Sequence, residues 1–283
     1  MVAGRPLPIL SGQLPHPSEC FTMETWIVLV RDPTCQPIGQ FGAEGLETEV
    51  RRAAAKGLLG DKLTRHGTPV ILWISFFCLA GSLSLLLIGE VNESLQIGGW
   101  IFFAVLWLFA LNFFRNPVRI APQGGQPISP ADGKVIGVDL VEDEAYVDGP
   151  ALRIHIFLSV FNVHVNRIPL DGVIEHLRYI PGEFRNAVGA EAREVNERQE
   201  IGLRTTDGVP ILVRQIAGLI ARRIVCPLQV GEEVERGFDF GMIRFGSQTE
   251  IIIPAKEGVP FKSMVKVGDK VHGGKTVLGD WIE

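Results

Sequence analysis

Ala-Leu-Arg-Ile-His-Ile-Phe-Leu-Ser-Val, residues 151–160, decides the fold. It is a short apolar run entered through the turn-forming Asp148-Gly149-Pro150, and it belongs to a series. KVIGVDLV (134–141), PILVRQIA (210–217), ARRIVCPL (221–228), MIRFG (242–246) and TEIIIPA (249–255) have the same texture, most of them bounded by Gly, Pro or Asp. Such spacing predicts a mainly β (α+β) domain rather than alternating βα units. Only the charged stretch Glu183–Arg198 reads as a helix or a long exposed loop.

An internal repeat adds detail. Val230-Gly231-Glu232-Glu233-Val234-Glu235-Arg236-Gly237 returns as Val267-Gly268-Asp269-Lys270-Val271-His272-Gly273-Gly274, each with a glycine turn and a V-x-x-x-V pair. Repeats of this kind point to quasi-symmetric β halves. The pattern resembles the hammerhead hairpins of barrel-sandwich folds, to which lipoyl and biotinyl carriers belong. A carrier presents a lysine at a hairpin tip, usually beside methionine, and neither Lys134 nor Lys270 has that neighbour. The architecture is expected, the carrier function is not.

Upstream of Pro117 the chain is different. From Pro69 to Gly89 it has no charged residue, enough for a membrane-spanning helix of about 20 residues. A second uncharged run, Ile97–Phe114, is near the lower limit, and the link between them carries Glu90 and Glu93. Arg51, Arg52, Lys56, Lys62 and Arg65 flank one outer end, Arg115 and Arg119 the other. Basic outer flanks predict a membrane anchor with both ends on the cytoplasmic face. The competing reading, a hairpin buried in a soluble core, needs a large partner surface. The expected organisation is an extension over 1–64, poorly ordered apart from a short helix over Glu44–Lys56, the anchor over 65–116, and a β domain over 117–283.

The composition agrees. The excess behind the 46% hydrophobic content is local to the hairpin, and a net charge of −5 argues against nucleic acid as a partner. Cys20, Cys35, Cys78 and Cys226 form no CxxC, so neither a zinc site nor a disulfide framework is expected, and a reducing compartment suits them. No histidine pair has metal-ligand spacing and no P-loop or GxGxxG occurs.

Three segments carry the chemistry: Ser129-Pro130-Ala131-Asp132-Gly133-Lys134, Phe157–Arg167 (FLSVFNVHVNR), and Phe240–Ser247 (FGMIRFGS). With PGEF (181–184), NER (196–198) and QIAGLIARRIV (215–225), in this order, the chain from about Arg65 onward resembles the short, membrane-anchored microbial phosphatidylserine decarboxylases. The resemblance implies a pyruvoyl-dependent enzyme that cuts itself between Gly246 and Ser247. Ser247 would attack the Gly246 carbonyl, and elimination and hydrolysis would leave a pyruvoyl group as covalent cofactor. The products would be a β chain (1–246) and an α chain (247–283) that remain a heterodimer, a higher oligomer being left open. The ketone would condense with the serine head-group amine of phosphatidylserine in the membrane and accept the electrons released with carbon dioxide, giving phosphatidylethanolamine. A serine hydroxyl needs a base held by a third group, and the resemblance implies His164 as base and Asp132 as its orienting carboxylate.

Each residue also has a plain reading. Gly-Ser is commonly a loop, Asp132 commonly a turn residue, and His164 sits among Phe161, Val163 and Val165 as a core histidine would. Some relatives carry a second histidine where this chain has Arg167, which either meets a lipid phosphate or carboxylate or makes a structural salt bridge. His155, between Ile154 and Ile156, reads as structural, and His176 and His272 as exposed. The alternative function is a non-enzymatic, membrane-anchored barrel-sandwich adaptor. A serine hydrolase is a further rival, but it lacks a GxSxG elbow.

Overall fold

The computed structural model of the chain describes residues 63–88, 92–185, 192–219, 223–244 and 247–282. The N-terminal extension, the helix expected over Glu44–Lys56 and the Phe245–Gly246 dipeptide lie outside the described residues. The uncharged runs form helices α1 (Thr68–Leu87) and α2 (Glu93–Phe113). Pro69 opens α1, where its missing N–H costs nothing, and the Asn92 side chain caps α2 by accepting the Ser94 N–H at 2.9 Å. Both are long and apolar enough to cross a membrane. They are apolar all round, with Trp73 73% and Leu79 70% exposed, a surface suited to lipid rather than water. Polar groups between them are paired: Trp107 Nε1 donates to Ser75 Oγ at 3.0 Å and Gln96 Nε2 to the Leu85 carbonyl at 3.0 Å. Leu63 and Arg115 form an antiparallel bridge, so the hairpin leaves and rejoins the β domain at one place.

The remainder is strand-rich, as the apolar runs predict. One large curled antiparallel sheet has the order β12-β1-β2-β10-β6-β5-β4-β8. Its strands are β1 (Gly133–Glu144), β2 (Val147–Leu158), β4 (Gly172–Ile180), β5 (Arg198–Thr205), β6 (Pro210–Ile216), β8 (Glu233–Val234), β10 (Ser247–Pro254) and β12 (Lys270–Val271). A second sheet runs β3-β9-β7, from β3 (Val165–Arg167), β9 (Asp239–Ile243) and β7 (Ile224–Val225), and β11 (Phe261–Ser263) pairs with β13 (Gly279–Trp281). The main core takes Ile154, Ile156 and Leu158 of β2 with Ile251 and Ile253 of β10, Val213 of β6 and Leu203 of β5. Within the charged stretch expected as helix or loop, the described residues hold a one-turn helix, α3 (Ala192–Val195).

The repeated hairpins close the two edges of the large sheet. β8 pairs with β4 (Val173↔Glu233) at one edge and β12 with β1 (Lys134↔Lys270) at the other. A second, fainter repeat stands opposite them: Pro130-Ala131-Asp132-Gly133 and Pro169-Leu170-Asp171-Gly172. A Cβ on Gly133 would stand 2.2 Å from the Phe157 carbonyl oxygen, and one on Gly172 2.1 Å from that of Arg204, so only glycine fits either place. Asp132 accepts the Gly273 N–H at 2.8 Å, and Asp171 accepts the Arg236 N–H at 2.7 Å. The two halves are built alike.

The face of the sheet opposite the main core carries alternating charge across six neighbouring strands. His155 meets Asp139 at 2.7 Å and Glu250 at 2.9 Å, Arg214 meets Glu250 at 3.8 Å and Glu200 at 3.0 Å, and His176 lies 3.6 Å from Glu200. His155 therefore points away from Ile154 and Ile156, into a structural network. Burial by itself would raise the Glu250 pKa, but hydrogen bonding to His155 and the charges of His155 and Arg214 outweigh it and hold the carboxyl below its usual range.

Candidate active site

Two short links cross from the large sheet to the three-stranded one at the same corner. One runs from the end of β2 through Ser159–His164 into β3, the other from the end of β9 to the start of β10. They are tied at both ends, by the Leu158↔Ser247 pair in one sheet and by Val165↔Met242 in the other. The Ile243 N–H also donates to the His164 carbonyl at 3.4 Å. His164 and Ser247 thus belong to one corner although 83 positions separate them in the chain. Asp132, directly before β1, lies at the same end of the sheet, because Lys134 pairs with Phe157.

Ser247 opens β10 between Leu158 of β2 and the end of β6, where Gln248 pairs with Ile216. Its side chain is fully buried and its Oγ has no hydrogen-bond partner among the described residues. A buried hydroxyl without a partner costs about 1–3 kcal/mol and calls for an explanation. Two residues on, on the same face, Thr249 Oγ1 accepts from Asn166 Nδ2 at 3.2 Å, and Asn166 Oδ1 accepts from Gln215 Nε2 at 2.8 Å. The Gly246 side of the junction lies outside the described residues.

His164 is buried, with its ring 4.2 Å from that of Phe113, the last residue of α2. Helix α2 therefore ends against the imidazole. Burial pushes the His164 pKa down to about 4, and the Arg115 charge adds to this, while the Asn162 carbonyl and the Asp132 charge oppose it. The ring is neutral at pH 7. Its Nδ1 lies 3.0 Å from the Asn162 carbonyl oxygen. An acceptor there fixes the proton on Nδ1 and leaves Nε2 as the basic nitrogen. The group at Nδ1 is thus a backbone carbonyl, and Asp132 acts on the imidazole through its charge.

An acid-stability prediction follows. In the unfolded chain the imidazole titrates near 6.5. Between that value and about 4 the unfolded chain binds a proton that the native chain does not. Stability present above pH 6.5 is therefore lost as pH falls towards 4, by about 3 kcal/mol from this residue. Glu250, held below its ordinary value of 4.5, adds its loss only at still lower pH. Urea midpoints at pH 7.5 and 4.5 therefore measure chiefly the histidine loss, which His164→Gln should remove. An unchanged pH slope in that variant would rule out the dry-site account of His164.

Asp132 is itself tightly held. Arg119 grips both of its oxygens, Nη2 donating to Oδ2 at 2.7 Å and Nη1 to Oδ1, and Nη1 also donates to the Gly273 carbonyl at 2.5 Å. The pair is nearly dry, with side-chain exposures of 8% and 6%. On its outer side His272 Nδ1 stands 3.7 Å from Oδ2, so the exposed His272 is a second imidazole beside Asp132. Asp171, in the equivalent place of the other half, keeps only the backbone bond. The Arg119 grip is what distinguishes Asp132 from a turn residue.

Arg167 is buried, and the charges of Asp239, Arg119 and Asp132 act on its guanidinium. Its Nη1 donates to the Gly237 carbonyl at 3.0 Å and its Nη2 to Asn116 Oδ1 at 2.7 Å and the Pro117 carbonyl at 3.1 Å. The guanidinium is buried among carbonyl acceptors and ties the segment after α2 to the second half of the repeat. These donors are engaged by oxygens of the chain itself. Sequence reading also passed over Phe113, Arg119, Asn162 and Gln215. Only Arg119, a charge with no partner in its own neighbourhood, left a signal, and it was counted as a membrane flank.

Residues 106–279 match the sequence model of a family described as phosphatidylserine decarboxylase. A phosphatidylserine decarboxylase proenzyme of Nitrosomonas europaea is 40% identical over 217 residues, 75% of this chain and 96% of the relative. Its counterpart in Syntrophus aciditrophicus is 44% identical over 222 residues, 77% of this chain and 96% of the relative. That of Symbiobacterium thermophilum is 48% identical over 177 residues, 62% and 80% respectively.

Proposed function

We propose, since the chain belongs to the phosphatidylserine decarboxylase family, that it matures by cutting itself at Gly246–Ser247 and works through a pyruvoyl group made from Ser247. The chain is an enzyme, a decarboxylase acting on phosphatidylserine, and the adaptor reading gives way to this. The self-processing reading is carried above all by one observation: Ser247 Oγ is buried, with no hydrogen-bond partner among the described residues, at the corner that also holds the buried His164.

In this reading Ser247 Oγ attacks the Gly246 carbonyl carbon while His164 Nε2 takes the hydroxyl proton. The Gly246–Ser247 C–N bond breaks, His164 returns the proton to the released nitrogen, and an ester replaces the amide. Loss of the Cα proton of residue 247 then expels Gly246 as a carboxylate, and the resulting double bond tautomerises and is hydrolysed by one water, releasing ammonia. The residues fit a group at this place. Strand pairing with β2 and β6 fixes position 247, and Asn166, Thr249 and Gln215 line the same face with polar atoms. The pyruvoyl group supplies a ketone that binds the substrate amine and draws off the electron pair released with carbon dioxide. His164 Nε2 holds and returns the proton, and Phe113 keeps water from the imidazole.

The two products stay together because the smaller one supplies β10, fourth of eight strands in the sheet. The exposed apolar helices α1 and α2 fix the enzyme in the bilayer, where its two-chain lipid resides, and the basic residues at their outer ends favour the cytoplasmic face. Intact-mass spectrometry of the purified enzyme tests the reading. Two chains divided at 246/247 are expected, the smaller blocked to Edman degradation and reactive with hydroxylamine. One uncut chain that still decarboxylates phosphatidylserine would overturn it.

A further inference from the structure

We propose that the turn holding Phe161 and the chain just after the anchor make a second contact with the bilayer, Phe161 and Ile120 entering its interfacial layer beside α2. This rests on the reading of the chain as a membrane-anchored decarboxylase. The turn is pinned to the anchor: Arg115 Nη2 donates to the Phe161 carbonyl at 2.7 Å, while Arg115 Nη1 holds the Asn112 carbonyl at the end of α2. Phe161 therefore stands within one arginine side chain of the point where the anchor ends.

The turn is also rigid. Asn162 Oδ1 accepts the Ser159 N–H at 2.9 Å and the Ser159 hydroxyl at 2.7 Å, and the Asn162 N–H donates to the Ser159 carbonyl at 2.9 Å. It nevertheless presents its aromatic ring outward, 68% exposed. Along the segment after α2 the side chains alternate. Arg119 turns in to Asp132, whereas Val118 and Ile120 turn out, Ile120 being 80% exposed. At about 3.3–3.6 Å per residue, neither is more than about 25 Å of chain from Phe113. Leu219, 64% exposed, follows β6 on the other side of Ser247. Exposed apolar side chains thus stand beside the end of α2 and, separately, after β6, the other neighbour of the strand that carries Ser247, and exposed Arg65 and Arg223 suit an anionic lipid surface. Such a rim would hold the mouth of the site against the lipid head groups, so that the substrate reaches Ser247 with its acyl chains still in the bilayer.

The test compares two presentations of one head group. The full chain is reconstituted in phosphatidylcholine vesicles containing phosphatidylserine, and turnover there is set against turnover of short-chain phosphatidylserine dispersed as monomers. Phe161→Ser and Ile120→Ser should each lower bilayer turnover about tenfold, leave the dispersed substrate unaffected and self-cleave normally, and Phe161→Trp should retain the bilayer rate. Wild-type bilayer rates in both serine variants, or equal losses on both substrates, would overturn the proposal. So would a change of oligomeric state in Phe161→Ser, which would make the rim a contact between copies of the chain. A wild-type chain inactive on both substrates would instead count against the decarboxylase reading itself.

Discussion

Ser247→Ala leaves one uncut chain of 31.1 kDa with decarboxylase activity down by at least about 10⁴-fold. The size of the effect follows from the doubled role of one side chain. In the proposed maturation the hydroxyl is the nucleophile that converts the amide to an ester, and the carbons of the same residue become the ketone. Without Oγ neither event has a substitute, since the neighbouring hydroxyl, that of Thr249, is engaged by Asn166. The variant should still fold, because the hydroxyl it removes has no hydrogen bond to lose. Mass spectrometry, far-ultraviolet circular dichroism and carbon dioxide release check the three parts. An alanine variant that still divides would place the break elsewhere in the chain.

The second large effect is expected at the Arg119–Asp132 pair. Removing one member of a buried ion pair leaves the other uncompensated, at a cost of about 3–5 kcal/mol. Arg119→Leu and Asp132→Asn should each lose stability on that scale, read from urea unfolding in a Ser247→Ala background where every variant is equally uncut. Asp171→Asn is the built-in comparison. Asp171 is exposed and its asparagine oxygen can still accept the Arg236 N–H, so its loss should be below about 1 kcal/mol. In the Ser247 chain, Arg119→Leu also frees the Asp132 charge, which drives the His164 pKa upward and carries the acid limb of the self-cleavage rate with it. Equal stability losses at Asp132 and Asp171 would mean that the Arg119 grip contributes nothing.

Much of the architecture was legible because it depends on composition over short windows. The apolar runs became strands, the uncharged runs became α1 and α2, and the V-G-x-x-V repeat became the two edge hairpins. The repeat at Pro130–Gly133 and Pro169–Gly172 was missed because only Pro, Asp and Gly recur, and each is an ordinary turn residue alone. The candidate site was less legible, for physical reasons. His164 is oriented by the Asn162 carbonyl, a backbone atom that no side-chain pattern announces. Arg119 and Arg167 read as free positive charges, whereas folding buries one against Asp132 and the other among carbonyl oxygens. Phe113 read as one more lipid-facing residue of the anchor, and its contact with His164 joins positions 51 residues apart.

That last contact bears on how this enzyme can be simplified. Trimming the chain at the obvious border, just ahead of Arg115, would give a product that dissolves readily but has lost the ring lying on its imidazole. The exposed histidine would hydrate and regain an ordinary affinity for protons, and Met242 would lose both other buried members of its cluster, Phe113 and Phe114. A detergent-free version therefore has to keep the final turn of the second helix and replace only its outward-facing side chains with polar ones.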